Sequence, residues 1–250
     1  MGLFDWFRSA LECPVDAPTR AWLDHRWGWL EAQFGPERAR AAPVVLPSPE
    51  FFPDAYAGTP EDARCLLDRV CGYMGVDPGR VELALYGDQS PIPATSSFAS
   101  TWQGTAGLYQ AVGNKFRISI EASNLGDPLS VVATMAHELG HVHLLGGGRL
   151  TGDEEDHEPL TDLLTVYLGL GVLTANSVVR ESSWKDGNMS GWSISRCGYT
   201  DMRTYGYALA RFARLRDEDA PPWSRQLRPD VRQAFRQSAR FLQEEATAAP

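Results

Sequence analysis

Between Asp127 and Gly146 the chain reads as one largely apolar helix with polar residues set into its centre. Asp127-Pro128 opens it, with an acid in the capping position and a proline in the first turn, where a missing N–H is harmless. Val131, Val132, Met135 and Leu139 supply a face for burial. Within this helix lies His137-Glu138-Leu139-Gly140-His141. Histidines four residues apart sit one turn apart on the same face, so both imidazoles can reach a single metal ion. Glu138 lies beside the first and can hold a metal-bound water. The chain has only five histidines, and four of them (His137, His141, His143, His157) crowd into this stretch and the one after it.

Two histidines leave a tetrahedral catalytic zinc short of one protein ligand and one water. The longer signature H-E-x-x-H-x-x-G-x-x-H is absent, because Leu144 stands where its glycine is needed and Gly147 where its histidine is needed. The next candidates follow an acidic run, Asp153–Asp156, read as a solvated loop or a cleft rim. There Glu158-Pro159-Leu160-Thr161-Asp162 has the form E-x-x-x-D, on a helix expected to start near Pro159.

With both motifs in view, residues 105–170 resemble the gluzincin branch of the zincin metallopeptidases. The resemblance implies one zinc ion per chain, held by His137, His141 and Glu158, with Asp162 hydrogen-bonding a ligand histidine. It also implies an α+β, zincin-like fold: a small mixed or antiparallel sheet packed on the H-E-x-x-H helix, followed by further helices. In that family the strand before the metal helix commonly pairs with an extended substrate, which points to Lys115–Ile120 or its neighbour. Pro159 leaves a second assignment open. A residue before proline is pushed out of helical geometry, which would move Glu158 to a cap and make Asp162 the ligand, supported by Glu158 or His157. His143, two positions from His141, points to the far side of the helix as a packing or solvated residue, and His25 has no role.

The flanks carry ordinary fold signals. Leu23, Trp27, Leu30 and Phe34 mark an amphipathic helix closed by Gly35-Pro36, and its tryptophans read as core. An extended piece at Val44–Leu46 and a Pro/Phe-rich loop from Pro47 to Pro60 lead to a helix start at Thr59-Pro60-Glu61-Asp62. Val81, Leu83 and Leu85 alternate as a strand, and Gly87–Gly104 reads as a surface loop. Leu108–Val112 and Lys115–Ile120, separated by Gly113-Asn114, read as a hairpin. Residues 176–198 read as irregular, and two helices, about 201–216 and 229–244, close the chain. The expectation is one domain over 1–250, with 1–60 and 176–250 elaborating the 105–170 core.

Composition sets limits. A net charge of -9 argues against a general nucleic-acid partner. Cys13, Cys65, Cys71 and Cys197 form no C-x-x-C pair and read as idle thiols. The N-terminus lacks a Sec signal and no run approaches a membrane span, so the expectation is a cytoplasmic protein with no membrane partner.

The function expected is a zinc metallopeptidase, a hydrolase acting on a peptide or protein by zinc-activated water with Glu138 as general base. The alternative is a zincin-fold domain that binds or senses a partner with little turnover; a zinc site that only stabilises the fold is a third. Tyr199, Tyr205, Tyr207, Arg196 and Arg203 are the residues placed to offer an oxyanion donor, and spacing does not choose among them.

Overall fold

The computed structural model describes residues 12–87, 107–112, 115–177, 179–186, 189–196 and 200–248. Helix α1 (Ala17–Phe34) begins where Asp16 accepts a hydrogen bond from the Thr19 amide at 2.7 Å, and it ends at Gly35, whose φ of 78° turns the chain into the short α2 (Pro36–Ala41). Helix α3 (Pro60–Met74) opens with a reciprocal capping box. The Asp62 amide donates to Thr59 Oγ1, and the Asp62 carboxylate takes the Thr59 amide. Its end is Gly75, in the left-handed region.

Three strands form a mixed sheet in the order β1-β3-β2. β1 (Val81–Tyr86) runs parallel to β3 (Lys115–Glu121), and β2 (Gly107–Val112) runs antiparallel to it, with Tyr109 opposite Ile118. Side chains alternate across β3 as the pleat requires. Phe116, Ile118 and Ile120 are buried, whereas Lys115 and Arg117 face Glu82. The central place of β3 corrects the expectation that Lys115–Ile120 could pair with a substrate. Both of its backbone edges are already bonded, so that role falls to its neighbours β1 and β2, each of which pairs with β3 alone among the described residues. The loop expected over Gly87–Gly104 falls almost entirely outside the described residues, as does the Gly113-Asn114 link.

α4 (Pro128–His141) lies at the centre of the molecule. It packs on β2 and β3 on one side and on α3, α5 (His157–Tyr167) and α6 (Gly171–Ser177) on others. Asp127 caps it through the Ser130 amide, and a π-helical turn, Val142–Gly146, extends it. Almost every residue of α4 from Ser130 onward is buried, the pattern of a helix with no solvent face. Residues 176–198, expected to be irregular, instead hold the end of α6 and an antiparallel hairpin of β4 (Val179–Asp186) and β5 (Met189–Arg196). The signal was the two-residue Gly187-Asn188 spacing, the same dipeptide that separates β2 from β3; serines masked the alternation around it.

α7 (Met202–Leu215), capped by Asp201, and α8 (Pro229–Ala248) complete the chain. One hydrophobic core takes in Leu23 and Trp27 of α1, Met135 and Leu139 of α4, Phe212 of α7 and Phe235 of α8, so the described parts of both flanks enter the same core as the central segment. The fold is therefore mixed α+β, and among the described residues no helix is long and apolar enough to cross a membrane.

α7 packs closely on α8 at Gly206, where a Cβ would lie 2.6 Å from that of Ala234 and 2.8 Å from the Phe235 amide nitrogen. Because backbone sits on the far side, Gly206→Ala should force the helices apart and destabilise the protein by about 1–3 kcal/mol, read from denaturant unfolding. The α3 cap makes a pH-dependent contribution. Backbone hydrogen bonds from Thr59 and Ala57 hold the Asp62 pKa below its ordinary value. Its contribution is thus complete above the ordinary aspartate pKa of about 4 and fades as pH falls through the lower folded value. Asp62→Ala should lower the melting temperature near neutral pH, and the gap from wild type should close on acidification.

Candidate metal centre

The crossing of α4 and α5 builds the site. At Gly140 a Cβ would stand 2.6 Å from Thr161 Cγ2, so the glycine inside the H-E-x-x-H segment is what lets α5 lie against α4 at this point. Glu158, Thr161 and Asp162, at i, i+3 and i+4 of α5, share the face turned to α4. Each α4 histidine then meets its own partner. His137 donates from Nδ1 to Asp162 Oδ1 at 2.8 Å. Thr161 Oγ1 gives its proton to the His157 carbonyl at 2.7 Å, so it is left to accept from His141 Nδ1, at 3.3 Å.

With both Nδ1 atoms committed, the two Nε2 atoms converge on Glu158. Oε2 of Glu158 lies 2.9 Å from His137 Nε2 and 3.4 Å from His141 Nε2. One ligand atom from each of the three residues falls within 4.8 Å of the others, and the ring centroids of the histidines are 4.9 Å apart in an edge-to-face arrangement. Two imidazole nitrogens and a carboxylate oxygen form a donor set suited to zinc. The contact between His141 and Glu158 points the same way. With its proton on Nδ1, His141 presents a lone pair to a carboxylate oxygen, an opposition that a cation between them relieves.

Burial sets the electrostatics. Desolvation works against a charged His137, yet its hydrogen bonds to Asp162 and Glu158 outweigh that and hold its pKa well above the ordinary imidazole value. His141 shifts down, chiefly through burial. Glu158 is also desolvated, which would raise it, but the two histidines keep it far below the usual carboxylate range. Glu138 has no such compensation. Burial, with the Glu158 charge adding to it against the opposing pull of His137, pushes its pKa up to about 7.

Sequence positions and structure can be set side by side. Glu158 lies inside the first turn of α5, not in a cap before it, which corrects the start expected near Pro159. Pro159 is harmless there, because the first N–H groups of a helix have no partner within it. Asp162 faces the outer nitrogen of His137, and its second oxygen accepts the Thr200 amide at 3.1 Å. His157 stands beside the cluster, its Nδ1 3.8 Å from Glu158 Oε1 and its ring centroid 5.8 Å from that of His141. His143 turns away and packs edge-on to Phe34 while its Nε2 donates to the Met74 carbonyl at 3.0 Å. His25 is exposed.

The acidic run is not a plain solvated loop, since Glu154 and Asp156 are bound by Arg26 of α1. Of the residues considered as oxyanion donors, Tyr205 and Tyr207 are buried in the core, the latter donating to Asp24 at 3.3 Å, and Arg203 is exposed. Tyr199 and the side chain of Arg196 lie outside the described residues. The tyrosines that border the cluster are others. Tyr109 has its ring centroid 5.9 Å from that of His141, and Tyr86 is close enough to Glu138 to feel its charge. Thr161 went unread in the sequence, although its i+3 spacing from Glu158 puts it on the working face. Comparison with family models, with curated proteins and with solved structures finds no match to this chain.

The two assignments left open by the sequence make different demands on metal binding. Glu158→Ala should abolish tight zinc binding, while Asp162→Asn, which only loosens His137, should weaken it about tenfold to a hundredfold. Competition with a chromogenic chelator measures both, and the reverse ranking would make Asp162 the ligand.

Proposed function

We propose that this protein is a zinc-dependent peptidase of zincin-like design, cutting a peptide bond in a peptide or protein substrate. The observation that carries the reading is the convergence of His137 Nε2, His141 Nε2 and Glu158 Oε2, with the buried Glu138 next in sequence to the first of them. Zinc, when bound by those three side chains, supplies Lewis acidity toward a carbonyl and brings the pKa of water toward 7. Asp162 and Thr161 keep the two rings in the tautomer that offers Nε2. Glu138 takes the proton of the attacking water on its carboxylate and delivers it to the nitrogen of the leaving amine, so the proton removed in one step is returned in the next. A purely structural site has no need of that carboxylate, which favours turnover over a closed zinc site. β2 packs beside α4 and pairs with β3 alone among the described residues, which makes it the strand on which an extended chain would pair.

Protein purified without chelators should carry about one zinc per chain. Glu138→Gln should keep metal and fold while lowering cleavage of a proteome-derived peptide library by about 10²- to 10⁴-fold. Absence of metal, or cleavage that survives Glu138→Gln unchanged, would overturn the proposal.

A further inference from the structure

The first turn of α5 carries Glu158, yet it is fastened in an unusual way. Asp156 occupies the N-cap position of this helix, where an aspartate ordinarily accepts from the amides of the first turn, but it makes no cap hydrogen bond. One of the two amides it would serve does not exist, because Pro159 stands at the third helical position. The carboxylate turns outward to α1 instead. Arg26 grips it with two parallel hydrogen bonds, Nε to Oδ2 at 2.6 Å and Nη2 to Oδ1 at 2.5 Å, and Trp22 Nε1 donates to Oδ2 at 2.7 Å. Arg26 Nη2 also takes Glu154 Oε2 at 2.9 Å. The Arg26 side chain is 13% exposed and that of Asp156 26%, so the fork is part-buried and its charge-assisted bonds are only partly open to water.

We propose that Arg26 and Trp22 are positioning residues for the metal centre, acting through Asp156 to hold Glu158 where His137 and His141 converge. This inference rests on the zinc reading above. The reason lies in what else fixes Glu158. Its turn has no side-chain cap of its own. The loop before it reaches α5 through reversals at Thr151–Glu154 and Glu154–His157. The rigid fork from α1 supplies the missing anchor, two residues upstream of the ligand. Lysine cannot replace it, because a single ammonium lacks the paired, planar donors that set the carboxylate's orientation.

The test uses the full chain with zinc or cobalt ions and no substrate. Zinc affinity is measured by chelator competition for wild type, Arg26→Ala, Arg26→Lys and Asp156→Asn, with far-ultraviolet circular dichroism as the check on folding. Cobalt is substituted for zinc to report the ligand field. Arg26→Ala and Asp156→Asn should lose about tenfold to a hundredfold in affinity and alter the cobalt spectrum, with Arg26→Lys between them and wild type. Arg20→Ala is the control, since it cuts a different tie of α1, to Glu245 of α8, and should leave zinc binding unchanged. Wild-type affinity and spectrum in Arg26→Ala, or an equal loss in Arg20→Ala, would overturn the proposal. Should Arg26→Ala fail to fold, Arg26→Lys and Asp156→Asn decide by the same criteria. A wild-type chain that binds no zinc would instead overturn the zinc reading itself, a result distinct from either.

Discussion

α4 and α5 can touch at Gly140 only because that residue carries no side chain, and the polar chemistry of the molecule depends on the contact. With a larger residue there, Thr161 would be pushed off and the face of α5 that carries Glu158 and Asp162 would move with it. The two histidines would then sit in a helix that is buried almost throughout, with neither outer nitrogen satisfied. A buried polar group without a partner costs about 1–3 kcal/mol, and a charged one more. The close approach is therefore a condition for burying this constellation at all.

Within the contact, similar side chains have their pKa values shifted in opposite directions. Between the carboxylates of Asp162 and Glu158 the pKa of His137 is drawn up, whereas burial draws that of His141 down. Glu158, beside both rings, has its pKa held low, and Glu138, one residue from His137 along the chain, has its own pushed up to about 7. Environment, not residue type, divides the labour among them.

Local signals were legible in the sequence wherever the cause was local. The starts of α3, α4 and α7 follow from Thr59, Asp127 and Asp201, whose side chains satisfy amides three residues on. The i, i+4 histidines and the E-x-x-x-D segment likewise announce shared helix faces. What stayed hidden depends on distance along the chain or on competing signals. Pro159 looks like a helix boundary, and only the fold shows it inside the first turn. The β4–β5 hairpin is masked by serines. The grip of Arg26 on Asp156 joins residues 130 positions apart, which no window on the sequence can contain.

Asp162 uses its two oxygens in opposite directions, one to the His137 ring and the other to the backbone of Thr200, just before α7. The chain thus enters α7 past an amide held by the same carboxylate that orients a histidine of the candidate centre. A reorientation of His137 is felt at that amide, and a displacement of the start of α7 is felt at His137. Thr200 N–H is in effect a built-in gauge of the centre, one whose chemical shift and hydrogen exchange read the state of a buried imidazole from a peptide group well along the chain.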